Sequence, residues 1–317
     1  MASFRVAVGG LGGGGDSGGA LAFAIPLRRK GIEPVFIAFA RCSTDTILRA
    51  EKYTGAVVKV TFSSWSSGRF FEPHIASLGF ETYVICLKEK KRDVIDGLEK
   101  LVSELNIRIF ISIDLGGDSL VFGDEPLLGS FRTDTLGLAS LSTISENLGV
   151  RAYLAVGVLG LEGGGRDLDI EYLADNLVKL SESKAYLGSY RPPQEAVSEV
   201  AATMGYLLSR EKSAMLTLYR DALLGKLGTR RYDVAYLHAE VCVKNYHGYF
   251  FVFNALKVCE LSKLCKAARE GWSLTLKRVA RHRKIRRLKT RRDLDKIAEY
   301  LLKRKFDLTK VLAELNK

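Results

Sequence analysis

Short, continuously apolar runs alternate with amphipathic stretches through the first part of the chain. The apolar runs predict buried strands at 4–8, 33–40, 57–62, 82–87, 108–114 and 152–159. Helices are predicted at 18–30, 43–53, 92–105, 134–148 and 167–181, on the basis of apolar spacing or a polar cap. A run that is apolar throughout, instead of alternating, is typical of a parallel strand covered on both faces. Repeated strand–helix units therefore predict an α/β fold with a mostly parallel sheet.

The second part of the chain predicts more helix. A helical stretch over 194–223 follows two prolines, and segments 233–244 and 249–253 predict a β-hairpin connected by Asn245–Gly248. Helices follow at 255–268 and from 272 onward, where Asp293 and Asp307 are expected as caps. We expect a Rossmann-like, doubly wound core at 1–228, a hairpin and helix at 229–270 that complete or flank it, and a basic helical extension at 271–317.

A glycine-rich loop, GGLGGGGDSGG at 9–19, joins the first strand to the first helix. Glycine tolerates positive φ and lets a ligand approach the bare backbone, and N–H groups at the start of a helix bind anions. The position favours a phosphate-binding loop, although a merely flexible turn is the alternative. The residues predicted to bind the ligand are Gly12, Gly13, Gly14, Gly15 and Ser17.

Two further glycine loops follow strands, at 115–118 and at 162–166. In a parallel sheet the loops after the strands emerge at one edge, and ligands bind there, where the strand order reverses. We therefore expect all three loops to meet in one crevice. The backbone at Gly116, Gly117, Gly163 and Gly164 is predicted to contact the same cofactor.

Carboxylates accompany each glycine loop. Asp16 would repel a phosphate unless a cation lay between them, so Mg²⁺ is the expected cofactor, together with ATP or another nucleotide. Asp114 and Asp118 are predicted as metal ligands, and Asp16 and Asp114 as catalytic residues. The alternatives are that Asp16 only caps the helix and that the acids of 114–125, with Asp124 and Glu125 among them, cap loops and bind nothing.

Glu162 is the third predicted catalytic residue, as a partner of ribose hydroxyls or a general base. Its alternative is a simple turn before a helix capped by Asp167. Arg132 and Asp134 are secondary candidates across a Gly-Ser pair. The glycines lack a following Lys-Ser or Lys-Thr, so the standard P-loop is excluded. Segment 63–78 interrupts the pattern, either as a lid or as a packed surface excursion.

The five cysteines include no C-x-x-C pair and indicate neither a zinc site nor a disulfide framework. Cys86 and Cys242 lie in apolar runs and are expected to be buried. Gln194 is the only glutamine, a usage that resembles thermophile proteins. In such an organism an intracellular disulfide is compatible with the compartment.

The net charge of +12 is concentrated in one segment. Residues 277–292 contain ten Lys and Arg and no acid, which leaves about +2 for the rest. A basic helix of this kind binds nucleic acid through phosphates; a solvated or homo-oligomer-forming surface and an anionic membrane surface are the alternatives. No apolar run has membrane-spanning length, and no signal peptide is evident at the N-terminus. A cytoplasmic location is therefore expected.

Two resemblances follow from these motifs. GGGGDS at 12–17 resembles the S-G-G-x-D-S loop of PP-loop ATP pyrophosphatases, with Gly12 in place of the leading serine. That resemblance implies ATP binding and adenylation, with Asp16 and Ser17 near the phosphates. Roughly residues 4–260 resemble a largely archaeal family of uncharacterised proteins through GGGGD at 12–16, DLGGD at 114–118, GDE at 123–125 and LGS at 128–130. This second resemblance implies a site that the family members share, but it implies no particular activity.

Two functions of different classes remain open. The first is a Mg²⁺-dependent transferase that binds a nucleotide or another phosphorylated small molecule at the three loops. The second is a nucleic-acid-associated protein that binds a phosphate backbone through residues 277–292 and binds a nucleotide as a regulatory ligand. A PP-loop-like adenylating enzyme is a more specific version of the first.

Overall fold

The computed structural model describes residues 4–68, 70–272 and 292–314. Within them, a nine-stranded sheet forms the centre of a mixed α/β fold, and a separate two-stranded hairpin accompanies it. The strands are β1 (Arg5–Gly10), β2 (Val35–Ala40), β3 (Glu51–Thr54), β4 (Val57–Val60), β5 (Thr82–Cys86), β6 (Ile107–Leu115), β7 (Arg151–Gly157), β8 (Tyr186–Tyr190), β9 (Gly228–Val234), β10 (Leu237–Val243) and β11 (Phe250–Asn254).

The large sheet is mostly parallel, as the apolar runs predict. Its order is β3-β4-β5-β2-β1-β6-β7-β11-β8. The five central strands, from β5 to β7, pair in parallel, whereas β4 and β11 run against their neighbours. The chain winds from β1 towards β2 on one side and later from β6 towards β7 on the other. The strand order therefore reverses between β1 and β6.

Helices cover both faces of the sheet. They are α1 (Gly15–Gly19), α2 (Leu21–Arg29), α3 (Glu72–Ser77), α4 (Lys91–Glu104), α5 (Arg132–Leu148), α6 (Ile170–Glu182), α7 (Gln194–Arg210), α8 (Ala214–Leu223), α9 (Ala255–Leu261), α10 (Lys263–Gly271), α11 (Leu294–Leu301) and α12 (Leu308–Ala313). In β1, Ala7 packs into one core with α4, α5 and α6, while Val6 and Val8 pack into the other with α2, α7 and α8. This alternation explains why the strand is apolar throughout. Asp293 and Asp307 cap α11 and α12 as predicted.

The predicted pairing of the late strands is wrong. Segment 233–244 turns at Ala235–Tyr236, so that β9 and β10 pair with each other, and β11 lies in the large sheet between β7 and β8. The burial patterns of β10 and β11 explain this pairing. Alternate residues of β10 are exposed, so it packs by one face, whereas Phe250–Phe253 are all buried and suit the interior of a sheet covered on both faces.

Other predicted elements change in detail. The helix predicted at 43–53 is wrong, because only Ile47 is buried there and the chain instead pairs as β3 with β4. The long helices predicted at 194–223 and 255–268 are each divided, and the second helix of each pair is capped by a serine, Ser213 and Ser262. Strand β8 was not predicted. The basic segment lies outside the described residues, except for Arg292.

The cysteines differ from expectation at two places. Cys86 is buried as predicted, but Cys242 is exposed, because it lies on the outer face of β10. Cys259 and Cys265 form a disulfide that joins α9 to α10, although no disulfide was indicated by the spacing. Within the described part of the chain, no helix combines the length and the apolar character needed to cross a membrane.

Candidate functional site

A cavity of about 520 Å³ opens at the edge of the sheet where β1 and β6 end. This is the point at which the strand order reverses, and it is where doubly wound α/β proteins bind ligands. The loop after β1 and the loop after β6 both line it, as the sequence predicts. Its walls carry six acidic side chains, Asp16, Asp114, Asp118, Asp134, Glu162 and Asp167.

Asp16 joins the first loop to the end of β6. Its Oδ2 atom accepts a hydrogen bond from the N–H of Gly12 at 3.1 Å, and its Oδ1 atom accepts one from Leu115 at 3.0 Å. It lies within the first turn of α1, and no side chain makes the capping bond of that helix. The structure therefore favours the cavity position of Asp16 over the simple capping alternative.

Asp114, Asp118 and Asp134 form the core of the acidic cluster. One carboxylate oxygen from each lies within 4.8 Å of the others, and the three residues are 1%, 2% and 4% exposed. The N–H of Gly117 (3.4 Å) and the N–H (3.1 Å) and hydroxyl of Ser119 all donate to Asp114.

The hydroxyl of Ser130 donates to the Oδ2 atom of Asp118 at 2.6 Å. Asp134, only a secondary candidate in the sequence, joins the two because the first turn of α5 carries it back to the end of β6. The three carboxylates can therefore face a single cation.

Burial and mutual repulsion raise the pKa of these carboxyl groups. Burial, and then the negative charge of Asp114, raise the pKa of Asp118 to about 7. The same two causes, together with the charge of Asp118, keep the pKa of Asp16 well above its usual range. Asp134 is shifted in the same direction by burial and by its acidic neighbours. Among the described residues that line the cavity there is no lysine or arginine. The carboxylates therefore repel one another when they ionise, and a positive charge that enters the cavity would favour their ionised forms.

Glu162 reaches the cavity from the loop after β7. Burial and the nearby aspartates raise the pKa of its carboxyl to about 10. Gly116 packs directly against this side chain, so that a Cβ atom there would collide with the Glu162 carboxylate. Asp167 also lines the cavity, and it is Asp169 instead that caps α6, by accepting hydrogen bonds from Glu171 and Tyr172.

Several of the residues predicted to bind ligand stand back from the cavity. Gly12–Gly15 line it, whereas Ser17 donates its hydroxyl to Glu72 at 2.6 Å. The four remaining predicted glycines, Gly116, Gly117, Gly163 and Gly164, lie outside the lining. Their contact with a ligand stays a prediction.

Asp124 and Glu125 hold the loop that follows Asp118. Glu125 is buried and accepts hydrogen bonds from the N–H groups of Phe122 and Gly123, both at 2.7 Å, and from Asn176 at 2.6 Å. Asp124 forms an ion pair with Lys263 at 3.2 Å. These contacts match the structural alternative for the two acids, outside the cavity.

Fold and cavity together define an α/β protein with an acidic cavity at the switch point of its sheet. A protein-family model described as "Protein of unknown function (DUF1152)" matches residues 7–294, and the chain belongs to this family. A search of curated proteins and a search of solved structures each find no match to this chain. The family match covers β1 to the start of α11 and therefore includes every residue that lines the cavity.

Proposed function

We propose that the protein is a Mg²⁺-dependent transferase that binds a nucleotide or another phosphorylated small molecule in the acidic cavity. One observation carries the proposal. Three buried carboxylates, from Asp114, Asp118 and Asp134, converge within 4.8 Å at the switch point of the sheet, and no basic side chain lines the cavity within the described part of the chain. Such a cluster is costly without a cation, because the charged forms repel each other in a poorly solvated place.

The donor set is suitable for a hard divalent cation. Mg²⁺ prefers oxygen ligands and usually takes one or two carboxylates together with substrate phosphates. Asp114 would hold it from the end of β6, Asp118 from the loop after β6 and Asp134 from α5. When bound, the cation supplies the positive charge that lets a phosphate approach these acids.

The first glycine loop supplies the complementary anion-binding groups. Gly13 and Gly14 have φ values of 77° and 60°, which an L-residue rarely adopts. Among the described residues, no acceptor takes the amide hydrogens of Gly13, Gly14 and Gly15. Thr133, in the first turn of α5, adds a hydroxyl to the lining, whereas the hydroxyl of Ser130 already donates to Asp118. A phosphate would therefore lie between the loop and the metal.

Glu162 has the environment of a group that exchanges a proton. With its pKa at about 10, it carries a proton at neutral pH as long as no cation is present. A positive charge in the cavity lowers that pKa and converts the side chain into a base within reach of the ligand. This supports the predicted role of Glu162 in proton transfer.

Calorimetry and thermal shift test the proposal. The purified protein is titrated with Mg²⁺ alone and then with ATP, GTP, ADP and sugar phosphates, each with and without Mg²⁺. We expect Mg²⁺ to bind, and one phosphorylated ligand to raise the melting temperature only with Mg²⁺, since ligands stabilise the state they bind. The absence of Mg²⁺ binding at millimolar concentration would contradict the proposal. If a ligand binds, its incubation with the protein and candidate acceptors tests whether a group is transferred.

The nucleic-acid hypothesis rests on charge alone. Ten of the chain's basic residues lie in 277–292, and Arg292, the only one within the described residues, pairs with Asp175 at 3.3 Å. Binding to RNA or DNA that weakens steeply with salt, and that is lost when 273–292 is removed, would support it. Salt-independent binding would contradict it.

A further inference from the structure

We infer that the tip of the β9–β10 hairpin selects the ligand: Tyr236 stacks on the ring of a nucleobase whose phosphates lie at the acidic end of the cavity. The inference rests on the proposed function and narrows it to nucleotides. It comes from the hairpin, which the predicted site did not include.

The hairpin places one aromatic ring on the cavity. Val234 pairs with Leu237, which leaves Ala235 and Tyr236 as the two-residue connection between the strands. Tyr236 lines the same cavity as Asp16 and Asp118, and it is the only aromatic side chain among the described lining residues. It is 47% exposed, so about half of its surface remains accessible to a ligand or to solvent.

The strands below the tip hold it in place. Leu237, Ala239, Val241 and Val243 form the buried inner face of β10, and the hydroxyl of Tyr232 donates to Asp221 of α8 at 3.2 Å. Leu237 sits directly on Gly164, where an added Cβ would lie 2.7 Å from its Cδ1 atom. The glycine loop at 162–166 thus packs against the hairpin and supports it.

The connection itself is strained. Ala235 has a φ of 54°, in the region that favours glycine, although it is an L-residue with a side chain. Strained residues of this kind persist where the surrounding structure holds them, and they concentrate at ligand clamps. The anchored strands on either side provide that constraint, so the tip is held over the cavity edge.

The polarity of the cavity matches a nucleotide in this orientation. The carboxylates that suit a cation are buried, whereas the tyrosine that lines the same cavity is 47% exposed. Leu115 and Met215 supply the remaining apolar lining. A ligand with a polyanionic end and a flat, weakly polar end satisfies both, and aromatic rings stack on any base with little sequence preference.

Binding of two kinds of probe, with and without a base, separates stacking from phosphate recognition. Isothermal titration with Mg²⁺ compares the four ribonucleoside triphosphates with inorganic tripolyphosphate, which lacks the base. We expect the preferred nucleotide to bind wild-type protein about tenfold or more tightly than tripolyphosphate. Tyr236→Ala should abolish this difference while tripolyphosphate binding stays the same. Tyr236→Phe should preserve it, because the ring and not the hydroxyl makes the contact.

Tyr300→Ala serves as the matched control, since Tyr300 is 67% exposed and lies outside the cavity. Thermal melting verifies that each variant is folded. Equal loss of nucleotide and tripolyphosphate affinity in Tyr236→Ala would overturn the inference, and so would an unchanged nucleotide preference. If tripolyphosphate binds wild type as tightly as every nucleotide, the metal-phosphate site stands and only the stacking fails. If neither binds with Mg²⁺, the proposed function fails as well.

Discussion

The hydroxyl of Ser17 donates a 2.6 Å hydrogen bond to the carboxyl of Glu72, a buried residue 55 positions further along the chain. The bond connects the first helical turn after the glycine loop to α3. It also bears on segment 63–78, which the sequence leaves open as a lid or a packed excursion. Phe71, Glu72 and Ile75 are buried, so this end of the segment is packed, whereas Trp65, near its start, is exposed.

Removing the Ser17 hydroxyl should destabilise the protein. Burial already raises the pKa of Glu72, and Ser17→Ala would leave its carboxyl without the hydroxyl donor. We expect a loss of about 1–3 kcal/mol in the free energy of unfolding, measured in urea. Ser103→Ala, on the exposed side of α4, is the control and should change it by less than about 0.5 kcal/mol. A double-mutant cycle with Glu72→Gln should show coupling; additive effects would contradict it.

Neutralising a central carboxylate should weaken metal binding. Asp118→Asn keeps the size of the side chain and removes one charged oxygen from the cluster, so we expect at least about a tenfold loss of Mg²⁺ affinity by calorimetry. Asp169→Asn is the matched control, because asparagine also caps a helix well and Asp169 lies outside the cavity. Equal Mg²⁺ affinity in the two variants would exclude Asp118 as a ligand.

The disulfide between Cys259 and Cys265 predicts a thiol count. Protein denatured without reductant should expose three thiols, and reductant should raise the number to five. Cys265→Ala should lower the free energy of unfolding by about 2 kcal/mol, since a short closed loop loses little entropy. Five thiols in the oxidised protein would show that the bond is absent in solution.

The position of the acidic cavity could be predicted from the sequence because its signals are local. The apolar runs that become β1 and β6 are each followed directly by a glycine loop with an aspartate, and the geometry of parallel sheets brings such loops together. Asp16, Asp114 and Asp118 were found in this way. Glu162 was found for the same reason, since it follows β7.

The remaining parts of the site depend on contacts that no local pattern encodes. Asp134 comes from the start of α5, well beyond the β6 loop, and only the return of the chain brings it to the cluster. The sequence pattern does not indicate Tyr236, because 233–244 predicts a single strand, although the alternation in β10 begins only at Leu237. The signal that was available is the all-apolar Phe250–Phe253, which fits an interior strand and leaves β9 as the partner of β10.

A methyl group at position 12 should disturb the cluster without straining the backbone. A Cβ on Gly12 would lie 2.6 Å from Asp134 Oδ1 and 2.8 Å from Asp16 Oδ2, so both carboxylates must move. We expect Gly12→Ala to weaken Mg²⁺ binding several-fold. Gly31→Ala is the contrasting variant, since open space surrounds Gly31 and its positive φ costs only stability, about 1 kcal/mol. Unchanged Mg²⁺ affinity in Gly12→Ala would show that the cation binds elsewhere.

The raised pKa of Asp118 predicts how stability depends on pH. In the folded protein the carboxyl holds its proton up to about pH 7, whereas in the unfolded chain it releases it near pH 4. Between these values the folded state binds more protons, so the free energy of unfolding falls as pH rises, by at most about 1.4 kcal/mol per unit for one proton. Melting temperatures measured in EDTA from pH 4.5 to 8 should therefore decline less steeply in Asp118→Asn than in wild type.

Mg²⁺ should counteract the same decline, because its binding requires the deprotonated carboxylates and its affinity rises as they ionise. The increase in melting temperature on adding Mg²⁺ is therefore expected to be small at pH 5 and larger at pH 8. Asp169→Asn loses a carboxylate that lies outside the cavity. Its melting temperatures should therefore follow those of wild type, both in EDTA and with Mg²⁺. A Mg²⁺ effect that is the same at both pH values would mean that the cation does not replace protons in the acidic cluster.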